Sequence, residues 1–562
     1  MDDVVQHAQA ILIIGSNTTE QHPVFGAMIR QAVLNRKMKL VVADPRKIDI
    51  TEFATLHIRQ RPGTDVALIN GLMHIILQKG WEDKKFIAER TEGFDEFKSV
   101  VDGYTPEKVS EITGIAVEKL YEAAEILATN KPMAVIWAMG ITQHITGVRN
   151  VMDLANLQML LGNMGLPGGG VNPLRGQNNV QGACDMGGLP NVYTGYQAVT
   201  DEKVRGKFAE AWGLAKDELG IMNASRENFI LHNSREAFIL SNKVGLTVTE
   251  MIPLAGEGKI KALYILGEDP LMSDPDSKHI RHCFEKCDFV VLQEIFPSET
   301  SKYADVLLPG VSFAEKTGTF TNTERRIQMC HQAIEPLGEA RDDWRITADL
   351  AKKILEGGGR TVNGGVHAGW DYANTAEIMK EIASLTPSYA GVTHERLDRG
   401  ERLQWPVKSL DHAGTPILHI GAFPRGKGKF APIDHVPPAE RPDDDYPMIL
   451  STGRVLYHWH GGEMTRRAKG LMEVYGHTLV ELNPDDATRL GLNGKRRVRI
   501  TSRRGEIEAE AWITDRVPPG MVYANFHFPE ANANELTIAA LDPVSKIPEY
   551  KVCAVRVERV GD

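Results

Sequence analysis

The alternation of apolar and polar positions divides the chain into stretches of different period. Residues 11 to 16, ILIIGS, form an unbroken apolar run ending at a glycine, the pattern of a short strand buried on both faces. After the polar turn NTTEQ, Pro23 sits where a first helical turn accepts proline. Val24, Phe25, Met28, Ile29, Ala32 and Val33 then recur at helical spacing. KLVVADPRK reads as a second strand running into a turn. Strand, helix and strand in this order make a βαβ unit, which implies a parallel sheet with ligands at the carboxyl ends of its strands. Residues 66 to 128 are mainly helical in pattern, with Val66, Ile69, Met73 and Ile76 on one face and a helix start at TPEKVSEITG. KPMAVIWAMG is a further buried strand, breaking at Gly140 into a polar turn with Thr142, Gln143 and His144, and a helix follows over 150 to 161.

Farther along, residues 197 to 258 have a helical pattern. KIKALYILGEDPLMSD and DFVVLQEIFPSET then repeat the logic of an apolar strand with carboxylates or amides at its end, which predicts a second Rossmann-like sheet. Residues 356 to 372 and 422 to 445 are rich in Gly, Pro and charge and read as connectors. The last stretch changes period: RRVRITSRRGEIEAEAWITD alternates like two strands around a turn, with PMILS, HTLVELN and MVYANFHF as further strands. The expected fold is α/β, with parallel-sheet domains followed by a C-terminal β-barrel. The boundaries expected are 1–177 for a Rossmann-like domain, 178–345 for a second and incomplete one, 346–445 for a helical and connecting region, and 446–562 for the barrel.

Composition narrows the partners. The net charge of -10 and pI near 6.0 argue against nucleic acid, and the cluster of Arg466, Arg467 and Lys469 and that of Lys495, Arg496 and Arg497 read as solvated faces. The apolar runs fall well short of the roughly 20 residues that span a bilayer. With no membrane segment, and an acidic MDDVVQHAQ start unlike a signal peptide, the expectation is a cytoplasmic chain. Five cysteines, at 184, 283, 287, 330 and 553, make neither a disulfide framework nor the closely spaced set of an iron-sulfur cluster, so they read as buried small hydrophobes. Cys283 and Cys287, four apart, would share a helix face.

The candidate chemistry lies at strand ends and in one loop. The first strand ends in Ser16, Asn17, Glu20, Gln21 and His22, and the second in Asp44, Pro45 and Arg46, an acidic group and a cation suited to a nucleotide. No GxGxxG is present, so a nicotinamide cofactor is not indicated. NPLRGQNNVQGACDMGGLPNV, residues 172 to 192, combines glycines, adjacent amides and Arg175, whose planar fork could hold a carboxylate. In STGRVLYHWH, Arg454, His458 and His460 would share one face of a strand, either as metal ligands with a third partner or as a phosphate clamp.

The words RGQNNVQGACDMG resemble the alpha (catalytic) subunits of molybdenum- or tungsten-dependent formate dehydrogenases, in the molybdopterin oxidoreductase superfamily. GSN, ADPRK, RPGTD, WAMGITQ, GTFTN, ERR-x-Q and PEYK are similar to other segments of that superfamily. The resemblance implies a bis(molybdopterin guanine dinucleotide) cofactor with Mo or W, a double-psi type barrel, and oxidation of formate to CO2 or the reverse. Arg175 would orient formate. Cofactor contacts would come from Gly15, Ser16, Asn17 and Glu20, from Asp44, Arg46, Gly63 and Asp65, and from Met139, Gly140, Gln143, Gly176 and Gln177. Others would come from Gly267, Glu268, Asp269, Gln293, Glu294, Thr319 and Asp343, and from Arg454, His458, Asn534, Tyr550 and Lys551. Many formate dehydrogenases have glutamate directly after the arginine matching Arg454, where this chain has Val455.

The family's iron-sulfur domain and its metal-ligating cysteine or selenocysteine match nothing here, so no metal ligand is expected within the chain. The expectation is a reading frame beginning at the first methionine beyond an internal selenocysteine codon, with a natural split as the other explanation. Implied partners are formate or CO2 and an iron-sulfur electron-transfer subunit, a hydrogenase or a reductase module. The alternatives are another molybdopterin oxidoreductase, such as a nitrate reductase, and a noncatalytic cofactor-binding subunit that needs a partner chain. Molybdenum against tungsten, electron acceptor, direction and oligomeric state stay open.

Overall fold

The computed structural model describes residues 1–212, 240–356, 370–492, 494 and 496–561. They form two compact units, one of residues 1–176, 269–286 and 417–562 and the other of 177–268 and 287–416. Residues 357–369 of the expected connector and 213–239 of the expected helical stretch lie outside the described residues, as does Lys495.

The first unit holds a five-stranded parallel sheet of β1 (Ala10–Ile14), β2 (Lys39–Ala43), β3 (Leu56–Ile58), β4 (Met133–Trp137) and β5 (Val171–Pro173), in the order β3-β2-β1-β4-β5. Every residue of β1 and β4 is buried, as their unbroken apolar runs require. The order reverses between β1 and β4, and an open sheet of this kind binds ligands in the crevice outside that point.

Helix Pro23–Arg36 buries Phe25, Ile29 and Ala32, but Val24 is 71% exposed and falls off the expected face. Helix Asp65–Lys79 is buried well beyond the face of Val66, Ile69, Met73 and Ile76, since Leu68, Leu72 and Ile75 are covered too. Helices 106–113, 117–129 and 147–160 pack around it, so it is a central helix and not a surface one. Residues 422–445 are likewise more than a connector. Phe430 stacks on Phe97, buried Asn156 pairs with both backbone groups of Ala431 (2.8 and 3.0 Å), and Asn70 donates to the Ile433 carbonyl at 2.9 Å.

The second unit contains a three-stranded parallel sheet of β6 (Ala262–Leu266), β7 (Phe289–Glu294) and β8 (Val306–Pro309), in the order β8-β7-β6. Here one face is open, with Tyr264 42%, Leu266 48% and Phe289 44% exposed. Helix Ser277–Lys286 stops before Cys287, so the two cysteines do not share a helix face. Cys283 and Cys553 are buried thiols, whereas Cys184, Cys287 and Cys330 are partly exposed.

The first unit is completed by a closed barrel of β9 (Met448–Gly453), β10 (Leu479–Leu482), β11 (Arg497–Thr501), β12 (Glu506–Ile513), β13 (Met521–Asn525) and β14 (Cys553–Arg559), in the order β9-β13-β10-β12-β11-β14. Alternation works as expected: Val498 and Ile500 point into the core, while Arg497 and Arg499 point out and pair with Glu508 at 3.0 and 2.8 Å. The barrel meets the sheet through charge as well as packing. Arg516 reaches Glu20 (2.8 Å) and Asp49 (3.1 Å), and the carboxylates of Glu549 and Asp542 accept the Ile145 and Val148 N–H groups. The expected α/β class with a C-terminal barrel is the observed one.

Candidate functional site

At the switch point the loops after β1 and β4 lie backbone against backbone. The Gly140 N–H donates to the Gly15 carbonyl at 3.0 Å. A Cβ on Gly15 would stand 2.7 Å from the Gly140 carbonyl carbon, and one on Gly140 would stand 2.6 Å from the Gly15 Cα. Gly15 also has φ +57, so glycine serves both the contact and the left-handed turn.

The next residues are buried polar groups without partners. The Ser16 and Thr19 hydroxyl oxygens, both polar atoms of the Asn17 amide and Nδ1 of His22 make no hydrogen bond. Each such atom costs about 1–3 kcal/mol when left unsatisfied, so five in one loop is a concentrated cost. The other ring nitrogen of His22, Nε2, bonds the Arg175 carbonyl oxygen at 2.6 Å, and burial holds this imidazole's pKa below its ordinary value.

The barrel contributes the opposite side. The Arg454 side chain is partly buried, its pKa lowered by desolvation, and Nη1 lies 3.5 Å from the Gly176 carbonyl oxygen. Lys551 donates from Nζ to the Thr452 carbonyl at 2.6 Å, and burial brings its pKa down to about 7. Burial also brings His460 down to about 4 and His527 to about 3, with Arg454 adding to both. Asp44, whose pKa burial raises to about 6, is the carboxylate that acts on Lys551. Arg175 and Gly176 thus sit beside His22 and Arg454, in a buried neighbourhood richer in basic groups than in acidic ones, which favours an anion.

Other expected contact residues are bonded or packed within the protein. Arg46 forks onto Glu481 (2.9 and 2.5 Å) with its guanidinium 3.5 Å from the Tyr523 ring centre, and Glu20 is held by Arg516. With Tyr457, Tyr475 and Trp512, these groups line a cavity of about 360 Å³. Gly63 has φ +81, and a Cβ there would meet Pro438 Cγ at 2.3 Å. Asp65, its pKa raised by burial, accepts from Gln60 at 3.1 Å. Met139 opens the short helix Met139–Thr142, which Gln143 ends by donating its N–H to the Met139 carbonyl. Asn534 donates to the carbonyls of Met272 (2.7 Å) and Ser273 (3.3 Å), to which Tyr550 also donates (2.9 Å), tying Asp269–Ser273 to the barrel.

The strand expected to carry His458 and His460 ends at Gly453, because the chain turns there. His458 bonds Thr465 Oγ1 (3.0 Å) and the Tyr475 carbonyl oxygen (2.6 Å), so both of its nitrogens are taken within the barrel. Among the described residues no group of three or more His, Cys, Asp or Glu is arranged to hold a metal ion.

Comparison with known proteins decides the family. A molybdopterin oxidoreductase model matches residues 3–353, and a molybdopterin dinucleotide-binding domain model matches 448–554. The chain belongs to the molybdopterin oxidoreductase family. It is 44% identical over 559 residues to the F420-dependent formate dehydrogenase 1 subunit alpha of Methanococcus maripaludis, spanning 99% of this chain and 77% of that protein. It is 37% identical over 563 residues to formate dehydrogenase H of Escherichia coli, spanning 99% and 74%. Acetylene hydratase from Pelobacter acetylenicus has the same fold, with a TM-score of 0.73 at 18% identity over 99% of this chain and 78% of that one.

For a family member, the loop after β1 fits a molybdopterin dinucleotide. Its hydroxyls and amide are donors a phosphate would accept, His22 Nδ1 is an acceptor for an N–H or O–H of the cofactor, and Arg454 and Lys551 supply positive charge. In the second unit, Gln293 and Asp343 bond each other at 2.8 Å, and Asp343 pairs with Lys316. The Gly267 N–H donates to the Gln293 carbonyl at 2.9 Å, while Glu268 at that strand end is exposed. Glu294 accepts the Ile295 N–H at 2.7 Å, and Thr319 lies in the hairpin 318–330. Within the loop word, Asn179 accepts the Thr321 N–H (2.9 Å), and Asp185 accepts from Gln181, Tyr196 (both 2.8 Å) and Tyr389 (2.6 Å). These amides and this acid organise the loop, which also contains Gln177.

His527 was missed by sequence reasoning. It follows a strand in an aromatic FHF word with no spacing to a second ligand, and only the fold brings it to Val455 and His460.

Proposed function

We propose that this chain is the catalytic part of a molybdenum- or tungsten-dependent formate dehydrogenase, interconverting formate and CO2 with a bis(molybdopterin guanine dinucleotide) cofactor. The observation that carries the substrate is the 44% identity, spread over nearly the whole chain, to a formate dehydrogenase alpha subunit. When bound, that cofactor supplies the two-electron redox chemistry.

In this reading the residues of the chain bind, orient and exclude water. Ser16, Asn17 and Thr19 donate to one dinucleotide arm from the loop after β1, with Arg454 and Lys551 balancing its charge. The Gly267, Gln293 and Asp343 region serves the other arm. Arg175, its backbone held by the His22 ring, presents a two-pronged donor to the formate carboxylate, which fixes where the C–H points. The part-buried setting strengthens that pair by keeping water away. Electrons leave to an iron-sulfur or reductase partner in the cytoplasm.

The test is formate-dependent reduction of a viologen dye by the complex purified anaerobically, with metal and pterin measured per chain. Turnover that follows cofactor content supports the proposal. A fully loaded protein that reduces nitrate and leaves formate untouched would overturn it.

A further inference from the structure

The loop from Arg454 to His460 carries the partly buried guanidinium of the proposed cofactor site, yet it belongs to no helix or strand. A loop that must hold a charge in place needs its backbone fixed from elsewhere. At its start, the Arg454 carbonyl accepts from the Tyr523 hydroxyl (3.0 Å) and from Gln21 Nε2 (3.3 Å). Farther along, the Trp459 N–H donates to Thr465 Oγ1 (3.1 Å), the Trp459 carbonyl accepts the Gly462 N–H (2.7 Å) and the His458 ring is held by Thr465 and Tyr475, while the two ends of the turn, Val455 and His460, meet on one imidazole.

His527 lies two residues past the end of β13 and is 0% exposed. Its Nε2 accepts the Val455 N–H at 3.0 Å, and its Nδ1 bonds the His460 carbonyl oxygen. An N–H donor on one side and a carbonyl acceptor on the other admit a single neutral tautomer, with the proton on Nδ1. The clip spans the turn end to end. His460 there has φ +42, a left-handed conformation that costs a non-glycine residue about 1–2 kcal/mol and persists only where neighbours enforce it. Gly462, at φ +86, keeps the same corner open, because a Cβ there would stand 2.5 Å from the His527 carbonyl oxygen.

We propose that His527 is a positioning residue for Arg454, a neutral two-point clip that closes the turn from Val455 to His460 and so aims the guanidinium at the anionic cofactor. The proposal rests on the reading of Arg454 as a cofactor ligand. Its chemistry is specific. A primary amide carries a donor and an acceptor on one carbon and can replace both bonds, whereas an alkyl side chain of similar size can replace neither.

Three variants of the full chain, each purified with its cofactor, test it: His527→Gln, His527→Leu and Arg454→Gln. Metal and pterin retained per chain are measured after long dialysis. Losing the bonds of a buried group weakens the structure it holds roughly tenfold or more, so His527→Leu is expected to keep about a tenth of the native cofactor. His527→Gln is expected to keep it within about twofold of native, since its two bonds survive. Equal loss in both His527 variants, or native retention in the Leu variant, overturns the clip. If the Leu variant does not fold, the Gln variant decides alone: retention supports the clip and loss overturns it. Arg454→Gln separates the two ideas. Its loss of cofactor beside native retention in His527→Leu sinks only the clip, whereas full retention in Arg454→Gln sinks the reading of Arg454 and the clip with it.

Discussion

The two parallel sheets end in polar loops of opposite character. At the end of β1, Ser16, Asn17, Thr19 and His22 hold buried polar atoms that nothing satisfies. At the end of β7, Gln293 and Asp343 bond each other, Lys316 closes on Asp343, and the Tyr264 hydroxyl closes on Gln293. The first arrangement concentrates five unsatisfied buried atoms in one loop, whereas in the second the side chains at the strand end bond one another and the Ser298 hydroxyl farther along the loop is left over. The sheets behind them differ in the same sense. Strands β1 and β4 are sealed on both faces, while β6 leaves Tyr264 and Leu266 open. A rigid, fully buried sheet can hold unsatisfied groups in place; a half-covered one holds groups that satisfy each other.

Closing the crevice is the strongest way to break this contrast. Gly140→Ala drives a Cβ to 2.6 Å from the Gly15 Cα and carbonyl oxygen, with backbone on both sides and no side chain to move away. We expect a loss of about 3 kcal/mol in stability and no retained cofactor, read by denaturant unfolding and pterin content. Gly267 at the end of β6 has open space around its Cβ position. Its φ of +63 makes Gly267→Ala cost about 1–2 kcal/mol, so the two substitutions should differ.

The next effect is on rate. Replacing Arg175 by Lys keeps the charge and removes the planar fork. Formate turnover by the loaded protein is expected to fall by about two orders of magnitude with cofactor content unchanged. Full turnover in that variant would remove Arg175 from the reaction.

Much of this was legible in the chain. The runs ILII and MAVIW announce doubly buried strands, and the alternation of RRVRIT and GEIEAEAW announces a barrel, because burial imposes period on the sequence. Gly15, Ser16, Asn17 and Arg175 stood out through their words. What stayed hidden depends on distant residues. Arg46 carries no mark of its partner Glu481, and nothing near His458 shows that Thr465 and the Tyr475 carbonyl occupy it. Helix 65–79 is apolar on nearly every face, the mark of a central helix, and reading only the face of Val66, Ile69, Met73 and Ile76 understated its burial.

The basic side of the first site gives a third contrast, in pH. His460 and His527 have folded pKa values of about 4 and 3, below the ordinary 6.5. The unfolded chain therefore takes up protons that the native chain refuses. The stability these groups contribute is present above pH 6.5 and is lost as pH falls toward 4. Each contributes a slope of about 1.4 kcal/mol per pH unit in that window. Asp44, raised to about 6, acts in the opposite direction, favouring the fold as pH drops from 6 toward 3.8. His527→Gln removes one such proton, so its stability between pH 6 and 4 should fall less steeply than native by about 1.4 kcal/mol per unit. Parallel slopes would mean that His527 titrates normally in the folded chain.

The smallest effect is the most discriminating. Asn17 begins the short helix Thr18–Gln21 without capping it, and both polar atoms of its amide are among those left unsatisfied. Asn17→Ala removes two buried costs and no bond, so the cofactor-free protein should be unchanged or more stable by about 1 kcal/mol. The loaded protein should retain less cofactor. Asp343→Ala in the second unit removes the bond to Gln293 and the pair with Lys316. It should therefore destabilise the cofactor-free protein, by about 1–2 kcal/mol. Opposite signs in the two cofactor-free variants, measured by denaturant unfolding, would establish that the first site is built for a ligand and the second is satisfied without one. Equal destabilisation would place Asn17 among ordinary structural amides, and the case for a dinucleotide at β1 would then rest on Ser16, Thr19 and His22 with Arg454 and Lys551.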